Sequence, residues 1–474
     1  MQAGWAIQEI TWPRAAAGVV DAFAGGRELA WLDSASTDDL ETLPARYSLV
    51  CRDPIAVLEQ FDRRTAVLSV GGNVVAREAN GWELWRKSCR GVPGCSPAAW
   101  NVSPGWVGFV GFEMARQLER LPSTHREDLG LPLLRMGLFD RGIILDHHRR
   151  RGFAVALDGV RSALGLPASP LEALAEGWES AVGAATRQSC SEPPRMSFEM
   201  ERGVYERMVA RALEYIAAGD IYQVNLAQRL RFDEVADPLE TYGVLRRVNP
   251  ARYAALLRWR DGAIGSVSPE LFLHTRGREV LTRPIKGTRP RTRDAVLDAA
   301  YRQQLIDSAK DAAELAMIID LHRNDLGRVC EYGSVRVRNA RRLEAHPTVF
   351  HTVADVCGRL RADRDGLDLL AACFPAGSIS GVPKIRALEI IDELEPVARG
   401  AYTGAVGMLG LDGQMTFNVA IRTLQFCKQA ATLYVGGGIV ADSDPADEYE
   451  ETLAKARGIV EALGMANSEL RMAN

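Results

Sequence analysis

The chain has 474 residues, 25% of them charged and 47% hydrophobic, with a formal net charge of −4. Those proportions are ordinary for a globular protein with a generous core and room for two or three domains. They speak against a general nucleic-acid binder, whose affinity rests on summed phosphate neutralisation, and leave open a small anionic ligand.

No uncharged apolar run approaches the ~20 residues that span a bilayer. The start, MQAGWAIQEITWPR, lacks the basic and apolar regions of a secretory signal. Eight cysteines, at 51, 89, 95, 190, 330, 357, 373 and 427, include no CxxC pair. Reduced thiols and a cytoplasmic location are expected, with no membrane partner.

In chain order, residues 1–160 carry short β-like runs (YSLVCR, TAVLSVGG, GWVGFVGF, RGIILDH) punctuated by Gly and Pro. Residues 161–200 hold one helical stretch and a Ser/Pro-rich link, the expected boundary. Residues 201–474 alternate helices and strands. GVYERMVARALEYIAA, 203–218, reads as an amphipathic helix closed by Gly219, followed by the strand IYQVNLAQRL. RPIKGTRPR, 283–291, sets Lys286 between two prolines, which predicts a shaped loop or strand end. One long helix is predicted over 301–326 and another over 381–395, entered through FPAGSIS. Asp444 and Pro445 read as the N-cap and first residue of a last helix. The fold class is α+β.

Several groups could carry chemistry. Asp311 and Glu314, and likewise Glu448 and Glu451, are three apart and share a helix face. Alone, such a pair is ordinarily a solvated face; were the two faces to meet, four carboxylates would need a hard cation, and Mg²⁺ suits them. The FPAGSISG loop with Lys384 beyond it offers amides to an anion, or is simply a capped helix start. Arg422, at the end of the apolar run FNVAIRTL, needs an anionic partner. Gly436, Gly437 and Gly438 allow a close backbone approach. Glu270 lies sixteen residues before Lys286, and a strand, turn and strand could bring them to one cleft. A partly deprotonated lysine is a nucleophile and a glutamic acid a proton donor, although a surface lysine is the commoner case. His351, in the β-like HPTVFHTVADV, reads first as a packed core histidine.

From about 200 to 465 the sequence resembles the chorismate-utilising enzymes, and among them the component I chains of aminodeoxychorismate synthases. The resemblance runs through GDIYQVNLAQR, SPELF, PIKGTRP, MIIDLHRNDLGRV, FPAGSISGVPKIRALEIIDELEP, RGAYTGAVG, FNVAIRTL and GGGIVADSDPADEYEET. It implies a large sandwich of two facing, mostly antiparallel sheets wrapped by helices, with the N-terminal segment interwoven. It also implies Mg²⁺ held by Glu314 and Glu451, with Glu448 and Asp311 behind them. Arg422, Tyr402, Ser378 and Gly437 would bind the chorismate carboxylates, with Lys384 and Thr288 also on the substrate side. His351 matches a histidine near the reacting ring. WLDSAS and ARYS look like segments of the family's tryptophan pocket, which makes Ser34, Arg46 and Tyr47 its candidates here.

Two positions choose among members by resemblance. Anthranilate synthases have alanine where Lys286 stands, and the isochorismate- and salicylate-forming members have a water-activating lysine where Gln223 stands. The implied reaction is amination of chorismate to 4-amino-4-deoxychorismate, with Lys286 as nucleophile at C2 and Glu270 as acid. No glutaminase motif is present, so ammonia is expected from a separate glutamine amidotransferase subunit. The alternatives are anthranilate synthase component I and a catalytically silent chorismate-binding subunit.

Overall fold

The computed structural model describes residues 4–14, 16–25, 27–35, 44–96, 100–123, 128–183, 193–346, 349–466 and 470. Residues 184–192 of the expected link, Cys190 included, lie outside these. Two twelve-stranded sheets are present, and their strand pairings are antiparallel. One runs from Trp5–Ile10 through N-terminal strands to Leu29–Asp33. That strand pairs with Tyr253–Trp259, and the sheet then ends at Gln223–Asp233 and Arg195–Phe198. The other runs from Ile285–Pro290 and Val349–Arg359 to Ala405–Gly410. This pairs with Gly105–Val110, and N-terminal strands complete the sheet. Each sheet therefore joins both sides of the 161–200 link, and the N-terminal segment is interwoven as the resemblance implied.

Every residue of GWVGFV is buried, because that strand is covered on both faces. Val107, Phe109, Val406 and Met408 meet Leu49, Ile144, Leu257 and Ile264 between the sheets. Trp82, Trp85, Leu315 and Ile319 lie in a second cluster over the outer face of one sheet; Phe23, Trp178, Leu245 and Ile459 do the same for the other. Each such side chain contributes roughly 1.5–3 kcal/mol.

The helix Arg202–Ala218 ends at Gly219, whose φ of 81° is the left-handed conformation that closes a helix. Pro445–Ala462 begins where the Asp444 carboxylate accepts from the N–H groups of Ala446 and Asp447. The single helix expected over 301–326 is in fact two, Ala295–Asp307 and Ala309–Gly327. Ser308 leaves helical geometry and its hydroxyl accepts from the Asp311 N–H, which caps the second helix. The helix expected over 381–395 is shorter, Lys384–Leu394, because Gly381 and Val382 pair with Val224 and Gln223.

Candidate active site

The strands Leu271–Arg276 and Glu279–Arg283 form a hairpin in which Leu271 stands opposite Arg283. Glu270 and Lys286 therefore leave its open end side by side, as their spacing suggested. RPIKGTRPR is a strand end rather than a loop: Ile285–Pro290 pairs with Val349–Arg359, with a register shift between Lys286 and Thr288. Gly287 lies in that shift at φ 77°, and a Cβ there would meet Asp311 Cγ at 2.9 Å and Leu305 Cδ1 at 2.8 Å. Only glycine lets the strand close onto the two helices at their break.

Lys286 Nζ is 4.0 Å from Glu314 Oε2, and its side chain is 12% exposed. Burial lowers its pKa, with the Glu314 charge opposing and Lys455 adding to the fall. Glu270 is buried, and burial pushes its pKa up to about 7 against the pull of Ser378, Lys286 and the Ile285 N–H. Ser378 Oγ itself completes no hydrogen bond. An amine biased toward neutrality stands beside a carboxyl biased toward protonation, the pairing a nucleophile and its acid require.

The two acidic faces lie within electrostatic reach of each other. A Cβ on Gly437 would lie 2.8 Å from Glu448 Oε2 and 3.9 Å from Glu451 Oε1, so the glycine makes room for these carboxylates. Glu448 accepts from the Ser443 hydroxyl at 2.6 Å. The pKa values of Glu314 and Glu448 are raised by burial first, and by the charge of Glu451 as well. That of Glu451 is lowered, chiefly by Lys455, which sits 2.7 Å away and also donates to the Gly436 carbonyl. Asp311 stands beside them, its charge adding to the rise of Glu314, and is itself held by Arg289 at 3.2 Å. Among the described residues no three potential ligands form a ready-made metal set. Magnesium does not need one, because it binds through one or two carboxylates and completes its shell with water and substrate oxygens. Glu314 at 16% exposure, buried Glu448 and the more open Glu451, which repel one another, fit that requirement.

Arg422 is not at the end of one strand. It lies between Met415–Val419 in one sheet and Thr423–Cys427 in the other, at φ 50°. Burial lowers its pKa, and among the described residues no carboxylate pairs with it. Its charge reaches His351, whose own pKa burial drives down to about 3, so this imidazole is neutral. Its Nδ1 is 2.9 Å from Thr288 Oγ1, and its Nε2 has no partner among the described residues.

The remaining candidates have protein partners of their own. Lys384 donates to Asp325 at 2.7 Å and to the Cys373 carbonyl at 2.9 Å, so its charge is already matched. Tyr402 stacks on Tyr434, with ring centroids 5.3 Å apart. Ser34 donates to the Tyr47 carbonyl, and both residues line a small open cavity of about 40 Å³ with Asp33, Arg252 and Asn418. Arg46 is held by both oxygens of Asp146 and is not among that cavity's lining. The sequence reading missed Lys455 and Lys310, the cations among the carboxylates. Lys455 was detectable, being four residues after Glu451 on one helix.

The family model for chorismate binding enzymes matches residues 37–461. The chain belongs to this family. It is 40% identical over 359 residues to aminodeoxychorismate synthase component 1 of Klebsiella aerogenes, covering 76% of this chain and 77% of that one. It is 39% identical over 373 residues to an anthranilate synthase component 1 of Haloarcula marismortui, covering 76% of each. Among solved structures, anthranilate synthase component I of Streptococcus pneumoniae superposes with a TM-score of 0.76 at 30% identity, over 89% of this chain and 93% of that one. Both kinds of relative are named as a first component, which implies a second. Among the described residues no helix is long and apolar enough to cross a membrane.

Proposed function

We propose that this chorismate binding enzyme aminates chorismate to 4-amino-4-deoxychorismate in the cytoplasm, with ammonia supplied by a separate glutamine amidotransferase subunit. The observation that carries the reading is Lys286, a buried lysine with a lowered pKa beside a glutamic acid whose pKa is raised to about 7. Lys286 Nζ attacks C2 of the ring as its double bonds shift and the C4–oxygen bond breaks. Glu270 gives its proton to the departing hydroxyl, which leaves as water. Ammonia then forms the C4–nitrogen bond, the double bonds shift back, and the C2–Nζ bond breaks to regenerate the lysine. Neutral His351 and Thr288 flank the ring, and Arg422, which no carboxylate pairs among the described residues, takes a substrate carboxylate. Glu314, Glu451 and Glu448 would hold Mg²⁺, which when bound offsets negative charge on the substrate carboxylate.

A second reading, anthranilate synthesis, is favoured by the relatives of that name at comparable identity. The test incubates the purified chain with chorismate, Mg²⁺ and an ammonium salt and resolves the products by mass spectrometry, with Lys286→Ala alongside. Aminodeoxychorismate from the wild type and none from the variant is the expected result. Anthranilate as the product would replace this reading with the second. Bound chorismate without turnover would mark a silent subunit or an absolute need for the partner.

A further inference from the structure

Arg399 is a fully buried guanidinium that the reaction does not use, and every one of its five N–H groups has an acceptor. Nε donates to Glu395 Oε2 at 2.8 Å, and Nη2 to Glu395 Oε1 at 2.5 Å and the Asn225 carbonyl at 2.7 Å. Nη1 donates to Thr403 Oγ1 at 3.1 Å and to the Ile379 carbonyl at 3.4 Å. Besides Glu395, these acceptors are Asn225, Ile379 and Thr403, in three separate segments. Asn225 is paired with Gly438 in the glycine run, Ile379 follows Ser378, and Thr403 follows Tyr402. Arg399 thus ties together the backbone behind three groups proposed to bind substrate. From the N-terminal half, Glu113 accepts from the N–H groups of Arg399 and Gly400.

Thr403 is the informative partner. Its φ is 59°, a left-handed conformation that a β-branched residue adopts only when its surroundings impose it. The Thr403 N–H donates to the Ala420 carbonyl at 2.8 Å, two residues before Arg422, and its hydroxyl donates to the Tyr402 carbonyl. Strain held against a buried arginine, next to Tyr402 and Arg422, has a use if it sets where those two residues point.

We infer that Arg399 is a positioning residue for chorismate binding, acting through strained Thr403 on Tyr402 and Arg422. The inference rests on chorismate being the ligand of this site. A lysine at 399 has three donors on one atom and cannot reach three segments at once. Thr403→Gly relieves the strain, which offsets the loss of the hydroxyl's two hydrogen bonds, while loosening the binding wall.

The test measures chorismate dissociation constants by equilibrium dialysis with Mg²⁺, KM and kcat with ammonium, and thermal midpoints, for the full chain and its variants. Thr403→Gly is expected to keep or raise the midpoint, weaken chorismate at least fivefold, and change kcat less than threefold. Thr403→Ser, which retains the hydroxyl, is expected within twofold of wild type. Arg399→Lys, if folded, weakens chorismate at least tenfold; should it not fold, the Thr403 pair decides. Wild-type affinity in Thr403→Gly overturns the positioning role while leaving the substrate reading intact. A wild-type chain that binds no chorismate overturns the substrate reading, and this inference with it.

Discussion

Replacing Glu270 with glutamine removes a titrating group that the fold buries. Burial raises the folded pKa from 4.5 to about 7, so the folded chain holds this proton over a range in which the unfolded chain has released it. Stability from this group is therefore full below the unfolded value and lost as pH rises through 7. Between pH 5 and pH 8.5 that loss amounts to roughly 2–3 kcal/mol, from the difference between 4.5 and about 7 weighted by the fraction ionised in each state. Glu270→Gln has no charge to lose. Urea unfolding of both chains at the two pH values gives the difference directly, because effects common to both cancel. The wild type is expected to lose roughly 2–3 kcal/mol more than the variant over this interval. Parallel pH dependences would mean that Glu270 is ionised throughout, which refutes its role as the proton donor.

Gly437→Ala places a Cβ 2.8 Å from Glu448 Oε2 and forces that carboxylate aside. The Mg²⁺ concentration giving half-maximal activity should rise about tenfold, or 1.4 kcal/mol, and an unaltered titration would remove Glu448 from the metal site. Arg422→Ala should raise the chorismate KM roughly 10- to 100-fold, the worth of a charge-assisted hydrogen bond, without lowering the thermal midpoint, since no protein carboxylate loses a partner. An unchanged KM would put the substrate carboxylate elsewhere. Asp444→Ala removes the cap of the helix bearing Glu448 and Glu451 and should cost about 1 kcal/mol in urea unfolding; no loss would mean that Pro445 alone fixes the helix start.

The parts of the fold legible in the sequence are those fixed by neighbours along the chain. Gly219 ends its helix, Asp444 and Pro445 begin theirs, and the Glu270–Lys286 spacing matches one hairpin. What was not legible depends on residues far apart. The break at Ser308 interrupts a pattern that is otherwise continuously helical, and only the close approach at Gly287 shows why the chain turns there. FNVAIRTL reads as one strand because nothing local signals a passage from one sheet to the other at Arg422. Asp311 and Lys384 looked free for metal and substrate, since Arg289 is 22 residues from the first and Asp325 is 59 from the second.

The pairing of Gly105–Val110 with Ala405–Gly410, and of Leu29–Asp33 with Tyr253–Trp259, has a consequence for how the chain reaches its native state. Neither sheet can be completed during synthesis until most of the chain has emerged, so its early strands must wait with their edges open. Contacts this distant in sequence make folding slow and leave those edges exposed to other chains meanwhile. A catalytic fragment cut at the 161–200 link would carry the chemistry but keep Tyr253–Trp259 and Ala405–Gly410 as long, apolar, unprotected strands, which is the pattern that aggregates.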